Sequence, residues 1–211
     1  MSKTHSATRL ILLRHGETSR PDLFHGSESD VGLSARGLAQ AEAASKRIAA
    51  EHPAAIYSSA LLRARLTAEP CARACGLEVE VEPDLRERAM GALSGSARVD
   101  AQPLYDAAIE HWRRGDIDHT HPGGESYRAI RDRALPALAR IAAKYDGRTV
   151  AIVAHGVLIR VVATSLALPL DDFDRVAIDH LRAHDLRRES VGWSYASWPA
   201  YSPHDLTSLP S

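Results

Sequence analysis

The chain has 211 residues, of which 45% are hydrophobic and 25% charged, with two cysteines and a formal net charge of −1. That size and apolar content support one substantial core, expected as a single domain over residues 1–211, and the balanced charge excludes the basic field that nucleic acid or an anionic membrane would demand. Cys71 and Cys75 stand one helical turn apart and make a poor disulfide framework, the N-terminal Met-Ser-Lys-Thr-His-Ser lacks a signal peptide's apolar core, and Val150–Leu170 is broken by His155, Arg160 and Pro169, so a cytoplasmic location without a membrane span is expected.

Leu10–Leu13 is an apolar run too short for a helix and predicts a buried strand of a parallel sheet that stops at Arg14. Arg14 and His15 then stand at its carboxyl end, where open α/β sheets bind ligands, and Gly16 lets the backbone turn away. A fixed cation beside a histidine points to an anion site, although the pair alone also reads as two solvated residues after a core strand. Residues 19–33, rich in Ser, Asp, Pro and Gly, read as a long loop. Ser34 is the expected N-cap of a helix with Leu38, Ala41 and Ile48 near one face, ending before Pro53. Ala54–Tyr57 is the second expected strand, Ser58-Ser59 opens a helix that stops at Gly76, and Leu77–Val81 is a third short strand.

Residues 82–99 read as loop, followed by a helix from Pro103 to Arg114 and a polar loop through Pro122-Gly123-Gly124. Glu125–Lys144 predicts a long amphipathic helix carrying Ile130, Ala134, Leu138 and Ile141 on one side, with a bend at Pro136. Thr149–Ala154 is a buried strand that ends on His155-Gly156, Val157–Leu168 is helical, and Arg175–Ala200 has the alternation of two edge strands. Strands alternating with helices predict an α/β fold of three layers, a mainly parallel central sheet with helices on both faces. Parallel strands bring their carboxyl ends to one edge, so Arg14, His15, Arg63 and His155 are expected to converge. Two guanidinium forks and two imidazoles around one point would make a phosphate pocket.

Five stretches in order carry a resemblance: Leu-Leu-Arg-His-Gly-Glu-Thr (12–18), Ser-Ser-Ala-Leu-Leu-Arg-Ala-Arg-Leu-Thr-Ala (58–68), Leu-Arg-Glu-Arg-Ala-Met-Gly (85–91), Pro-Gly-Gly-Glu-Ser (122–126) and Ile-Val-Ala-His-Gly (152–156). Together they resemble the histidine phosphatase superfamily, in its cofactor-dependent phosphoglycerate mutase branch, from Arg9 to about Leu206. The resemblance implies that His15 attacks phosphorus and carries the phosphoryl group. It assigns Arg14, Arg63 and His155 to the equatorial oxygens, and Glu87 to protonating the leaving oxygen and then deprotonating water, with no metal. Taken alone, Glu87 between Arg86 and Arg88 reads as an ion-pair partner.

The same resemblance makes Thr18, His25, Gly26, Arg88, Arg98, Arg113, Arg114 and Gly156 substrate-binding candidates. Arg98 stands where mutases usually carry a lysine, and Arg113-Arg114 after Trp112 is similar to the pair that grips an acid's carboxylate, although cations at a helix end also complement its dipole. His25 and Gly26 are similar to the family's Phe-x-Gly segment around Phe24. Departures from the mutases are Arg20-Pro21 in place of Trp-Asn, Val157 for a polar residue, Met90 for an aromatic one, and a short link from Arg114 to Pro122 where mutases carry a long covering insertion.

A mutase must keep water from its bisphosphorylated intermediate, whereas a phosphatase must admit it. The expectation is therefore hydrolysis of a small phosphorylated metabolite without a cofactor. The alternative is a phosphoglycerate mutase primed by 2,3-bisphosphoglycerate. A further alternative, a non-catalytic phospho-ligand binder, sits poorly with a chain that keeps candidates for nucleophile, arginines and acid. A metal enzyme built on His119-x-His121 with His180 and His184 lacks the carboxylate spacing to complete a site. Monomer and homodimer both stay open, since edge strands near the C-terminus could pair between subunits.

Overall fold

The apolar run at the start of the chain becomes strand β1 (Thr8–Arg14) in the computed structural model, which describes residues 7–190 and 192–199. The N-terminal Met-Ser-Lys-Thr-His-Ser, the end of the expected C-terminal strands at Ala200 and the family resemblance as far as Leu206 lie outside the described residues. Five more strands join β1: β2 (Ala55–Ser58), β3 (Val79–Val81), β4 (Thr149–Ala154), β5 (Ala183–Glu189) and β6 (Gly192–Ser197). Their order is β3-β2-β4-β1-β5-β6, with the first four parallel and β5 antiparallel to both β1 and β6.

Alternation along β1 sends successive side chains to opposite faces, and both faces are covered. Leu10 and Leu12 pack with Ala134, Leu138 and Ile141 of α4 (Tyr127–Lys144) and Leu158 and Val162 of α5 (Gly156–Leu166). Ile11 and Leu13 pack with Ala44 and Ile48 of α1 (Ala35–Ala49) and Ala64 and Ala68 of α2 (Leu62–Cys75). All four β1 residues are at most 1% exposed, and burial of each contributes about 1.5–3 kcal/mol. The result is the three-layer α/β arrangement, with a mixed sheet whose larger part is parallel. A third apolar cluster, with Trp112, Tyr105 and Ile109 of α3 (Arg98–Arg113) against Phe24, Phe173 and Val157, stands beside the carboxyl edge of the parallel strands. No helix among the described residues is long and apolar enough to cross a membrane.

Several boundaries differ from the sequence expectation. Ser34 does cap α1, accepting from Gly37 N at 3.0 Å, and Gly76 closes α2 in the left-handed region at φ 65°. The helix expected from Ser58-Ser59 starts only at Leu62, because Ser58 still belongs to β2 and Ser59 just beyond it sets its hydroxyl against His155. Ser126, not Glu125, begins α4 by accepting from Ala129 N. The stretch 82–99 contains two 3₁₀ turns, Pro83–Leu85 and Gly91–Leu93. Finally, β5 is no edge strand: β1 pairs on one side of it and β6 on the other.

Candidate active site

Register alone brings the two His-Gly pairs together. Arg14 pairs with Ala154 across β1 and β4, so His15 and His155 leave the sheet side by side, with ring centroids 5.2 Å apart. The His15 Nδ1 lies 2.7 Å from Gly16 O. A carbonyl can only accept, so Nδ1 carries the proton and Nε2 presents a free lone pair. Burial, reinforced by the Arg14 and Arg63 charges, holds the His15 pKa well below its ordinary value. His155 is depressed for the same reasons, burial first and then Arg63. Both rings are therefore neutral at physiological pH, the state a nitrogen nucleophile requires.

Arg63 enters from the first turn of α2 and is fully buried. Its two terminal nitrogens donate to Ser29 O at 2.7 Å and Gly26 O at 3.1 Å, which ties the 19–33 loop over the sheet edge. Arg14 donates to Ile178 O, and burial lowers its pKa to about 10, partly offset by Glu87. Arg14 Nε, Arg63 Nε and His155 Nδ1 are all buried without a partner. Unmade bonds of this kind are costly, and three of them near a free histidine nitrogen fit an oxyanion site. His155 keeps its other nitrogen 2.6 Å from Ser59 Oγ.

Glu87 is 6% exposed and sits at the N-terminus of α5, accepting from Val157 N at 3.3 Å and Leu158 N at 3.2 Å, and from Arg88 N at 2.9 Å. It shares with His15 a cavity of about 370 Å³, large enough for a small metabolite. Arg14, Thr18, His25, Arg98 and Gly156 line the same cavity.

Other candidates fall elsewhere. Arg63 and His155 lie in the solid wall beside His15 rather than at the cavity surface. Gly26 works through Arg63: a Cβ there would come within 2.7 Å of Met90 N and 2.9 Å of Arg88 O, so only glycine lets its carbonyl reach the guanidinium. Arg88 is not among the residues that line the cavity. It is fully buried, stacked 4.5 Å over Trp112, and donates from Nε to Glu125 O. Arg113 and Arg114 are also not in the cavity. Arg98 at the start of α3 is, and 1.5 Å of rise per residue puts Arg113 about 22 Å further along the axis. There it pairs with Glu110 and Asp174, and Arg114 pairs with Glu110.

Sequence reasoning passed over Ser59, Arg160 and Ile178, and it considered His180 only as a metal ligand. His180 lines the cavity with its ring 5.9 Å from His15, and burial followed by Arg14 lowers its pKa to about 3. No spacing rule reveals it, because the loop that carries it reaches the site by pairing Leu181 N with Arg14 O and Arg14 N with Arg182 O. The histidines of the metal alternative are dispersed: His121 holds Met90 O, His184 holds Tyr195 OH, and His180 faces the cavity.

The family model of the histidine phosphatase superfamily (branch 1) matches residues 10–200. A metal-independent phosphoserine phosphatase of Arabidopsis thaliana is 37% identical over 161 residues, covering 74% of this chain and 67% of that protein. A probable phosphoglycerate mutase GpmB of Serratia proteamaculans (strain 568) is 30% identical over 211 residues, covering 95% of this chain and 94% of that protein. Among solved structures, a mycobacterial glucosyl-3-phosphoglycerate phosphatase superposes with a TM-score of 0.77 at 29% identity, over 90% of this chain and 97% of the other.

Proposed function

This chain belongs to the histidine phosphatase superfamily, and on that premise we propose that it is a metal-independent phosphomonoester hydrolase that passes the phosphoryl group of a small metabolite to His15 and then to water. The observation that carries the proposal is the tautomer of His15: Nδ1 is held on Gly16 O, which leaves Nε2 unprotonated at the cavity that Glu87 also lines. In the first step Nε2 bonds to phosphorus as the ester P–O bond breaks, and protonated Glu87 gives its proton to the departing oxygen. In the second, the Glu87 carboxylate takes a proton from water, the water oxygen bonds to phosphorus, and the P–N bond breaks. Arg14 at the cavity surface, backed by Arg63 and His155 in the wall beside His15, stabilises the charge on the transferred group, and losing the Arg14 contact should cost about 3 kcal/mol of barrier.

Water has ready access because the link between α3 and α4 is short and held down. Trp112 Nε1 donates to His119 O, and Gly124 bridges to Met90, so nothing in that link extends over the cavity. The cations Arg98 and Arg160 beside the phosphate end favour an ester that also carries a carboxylate, and phosphoserine is the first such compound to assay. The same cations favour, as second reading, a phosphoglycerate mutase primed by 2,3-bisphosphoglycerate. Free Cys71 and Cys75 fit a cytoplasmic setting, with the chain acting as a monomer or a homodimer.

The test is to follow released phosphate and isomer formation together, with 3-phosphoglycerate supplied with and without 2,3-bisphosphoglycerate, and with phosphoserine. Phosphate release that persists in a chelator and disappears in His15→Ala, together with an acid-labile phosphoenzyme, is expected. Fast isomerisation without phosphate release would establish the mutase instead.

A further inference from the structure

At the opposite end of α3 from the cavity, the backbone builds a second constellation. Gly115 adopts φ 89°, Gly115 N donates to Trp112 O at 2.9 Å, and Asp116 N donates to His111 O at 3.0 Å. This pair of bonds closes a helix in a way that sets the side chain two residues past the cap against one in the last turn, a contact usually filled by apolar groups. Here it is filled by Asp116 and His111, with Oδ2 and Nδ1 3.0 Å apart. A further turn, with His119 N on Asp116 O at 3.2 Å, folds His119 back over the same place. Its ring stacks on that of His111 with centroids 3.6 Å apart and planes 4° from parallel, and its Nδ1 lies 3.9 Å from the same Oδ2. The buried Trp112 fixes this loop from below by donating to His119 O at 2.8 Å.

We propose that His111, Asp116 and His119 form a binding site for a divalent transition-metal ion of the zinc class, separate from the catalytic cavity, which clips the turn between α3 and α4. One carboxylate and two imidazoles are the donor set such ions take. In a tetrahedron with bonds of about 2.0–2.1 Å the donors stand about 3.3 Å apart. One ligand pair is already within that spacing, the second carboxylate distance of 3.9 Å must close by about 0.6 Å, and all three donor atoms lie within 4.8 Å of one another; to aim both in-plane lone pairs at one ion the two rings must swing out of their parallel stack, which their exposure allows without disturbing the core. The neighbouring cations do not oppose an ion, since Arg113 and Arg114 are engaged by Glu110, and Arg128 makes two bonds to Asp118. Water completes the open position. The cavity-lining residues of α3 end at Tyr105, about 9 Å along the axis from His111, so the clip does not touch the reacting atoms.

Untagged full-length protein titrated with zinc chloride in a calorimeter, and with cobalt chloride in a spectrophotometer, tests the proposal. One ion per chain is expected, with the intense visible bands of low-symmetry cobalt and a melting temperature that rises with zinc. Each of His111→Ala and His119→Ala should weaken binding by about tenfold or more and abolish the thermal shift. Turnover should be the same with zinc, with chelator and in both variants, which keeps this result independent of the hydrolase reading. Absence of saturable binding at about a hundredfold excess of zinc over protein, or binding retained in the double variant, overturns the site.

Discussion

Lowering the pH from 7 to 5.5 should destabilise this protein by an amount set by histidines it buries uncharged. His15, His155 and His184 are 5%, 0% and 0% exposed, and burial lowers all three pKa values, that of His184 to about 4. An unfolded chain takes up a proton at each near pH 6.5, whereas the folded chain does not, so their stabilising effect is complete above pH 6.5 and is lost as pH falls towards the folded values. Each imidazole then costs about 1.3 kcal/mol between pH 7 and 5.5, and these three with His180, whose pKa is lowered to about 3, together about 5 kcal/mol. Against a typical total of about 5–15 kcal/mol that loss is large. Urea melts followed by circular dichroism in phosphate-free buffer at pH 7, 6 and 5.5 measure it, and His184→Gln, remote from the cavity, should remove about a quarter of the slope. A loss below about 1 kcal/mol over this range would show that these rings protonate freely in the fold, and would refute the neutral state assigned to His15.

Arg98→Ala should raise KM for an acidic phosphate ester by about tenfold, whereas Arg113→Ala and Arg114→Ala should leave kcat/KM within about twofold, as steady-state kinetics on the three variants will show. Arg88→Ala should cost about 3 kcal/mol or more in chemical denaturation, because it removes a fully buried side chain stacked on Trp112, while the folded fraction keeps its kcat. In Gly37→Ala the new Cβ would meet Glu17 O at 2.0 Å, so a loss of about 1–3 kcal/mol is expected in thermal melts, with reduced turnover because Gly37 O also lies 2.7 Å from the Cβ position of Gly16, next to His15. His180→Ala should change KM more than kcat if the ring contacts the leaving group, and an unchanged KM would remove His180 from substrate recognition.

How much of this was legible in the amino-acid order depended on whether the signal was local. β1 and β4 are continuous apolar runs, as strands covered on both faces must be, and the two His-Gly pairs at their ends followed from parallel register. The start of α3 was not legible, because Pro103 reads as a first helical residue. In the structure it lies inside the helix, and the carbonyl it leaves unbonded belongs to Val99, which is 84% exposed and can turn to water. The alternation over Arg175–Ala200 reads as two edge strands, yet in β5 Asp185 is bound by Arg9 of β1 and His184 by Tyr195 of β6, partners that only the folded sheet supplies. Arg113-Arg114 matched a motif by type, but helix length carries them away from the cavity. Ser59, Ile178 and His180 leave no trace in spacing, since each reaches the site through contacts made across the chain.

The antiparallel addition of β5 to β1 joins residues 176 positions apart, and the segment that precedes β5 both anchors Arg14 and supplies His180. Without those C-terminal residues the parallel half of the sheet still places Arg14 beside His15, but it lacks the Ile178 carbonyl that holds the guanidinium. An intact anion pocket therefore requires the C-terminal strands, and pairing between residues so distant in sequence is of the slowly forming kind.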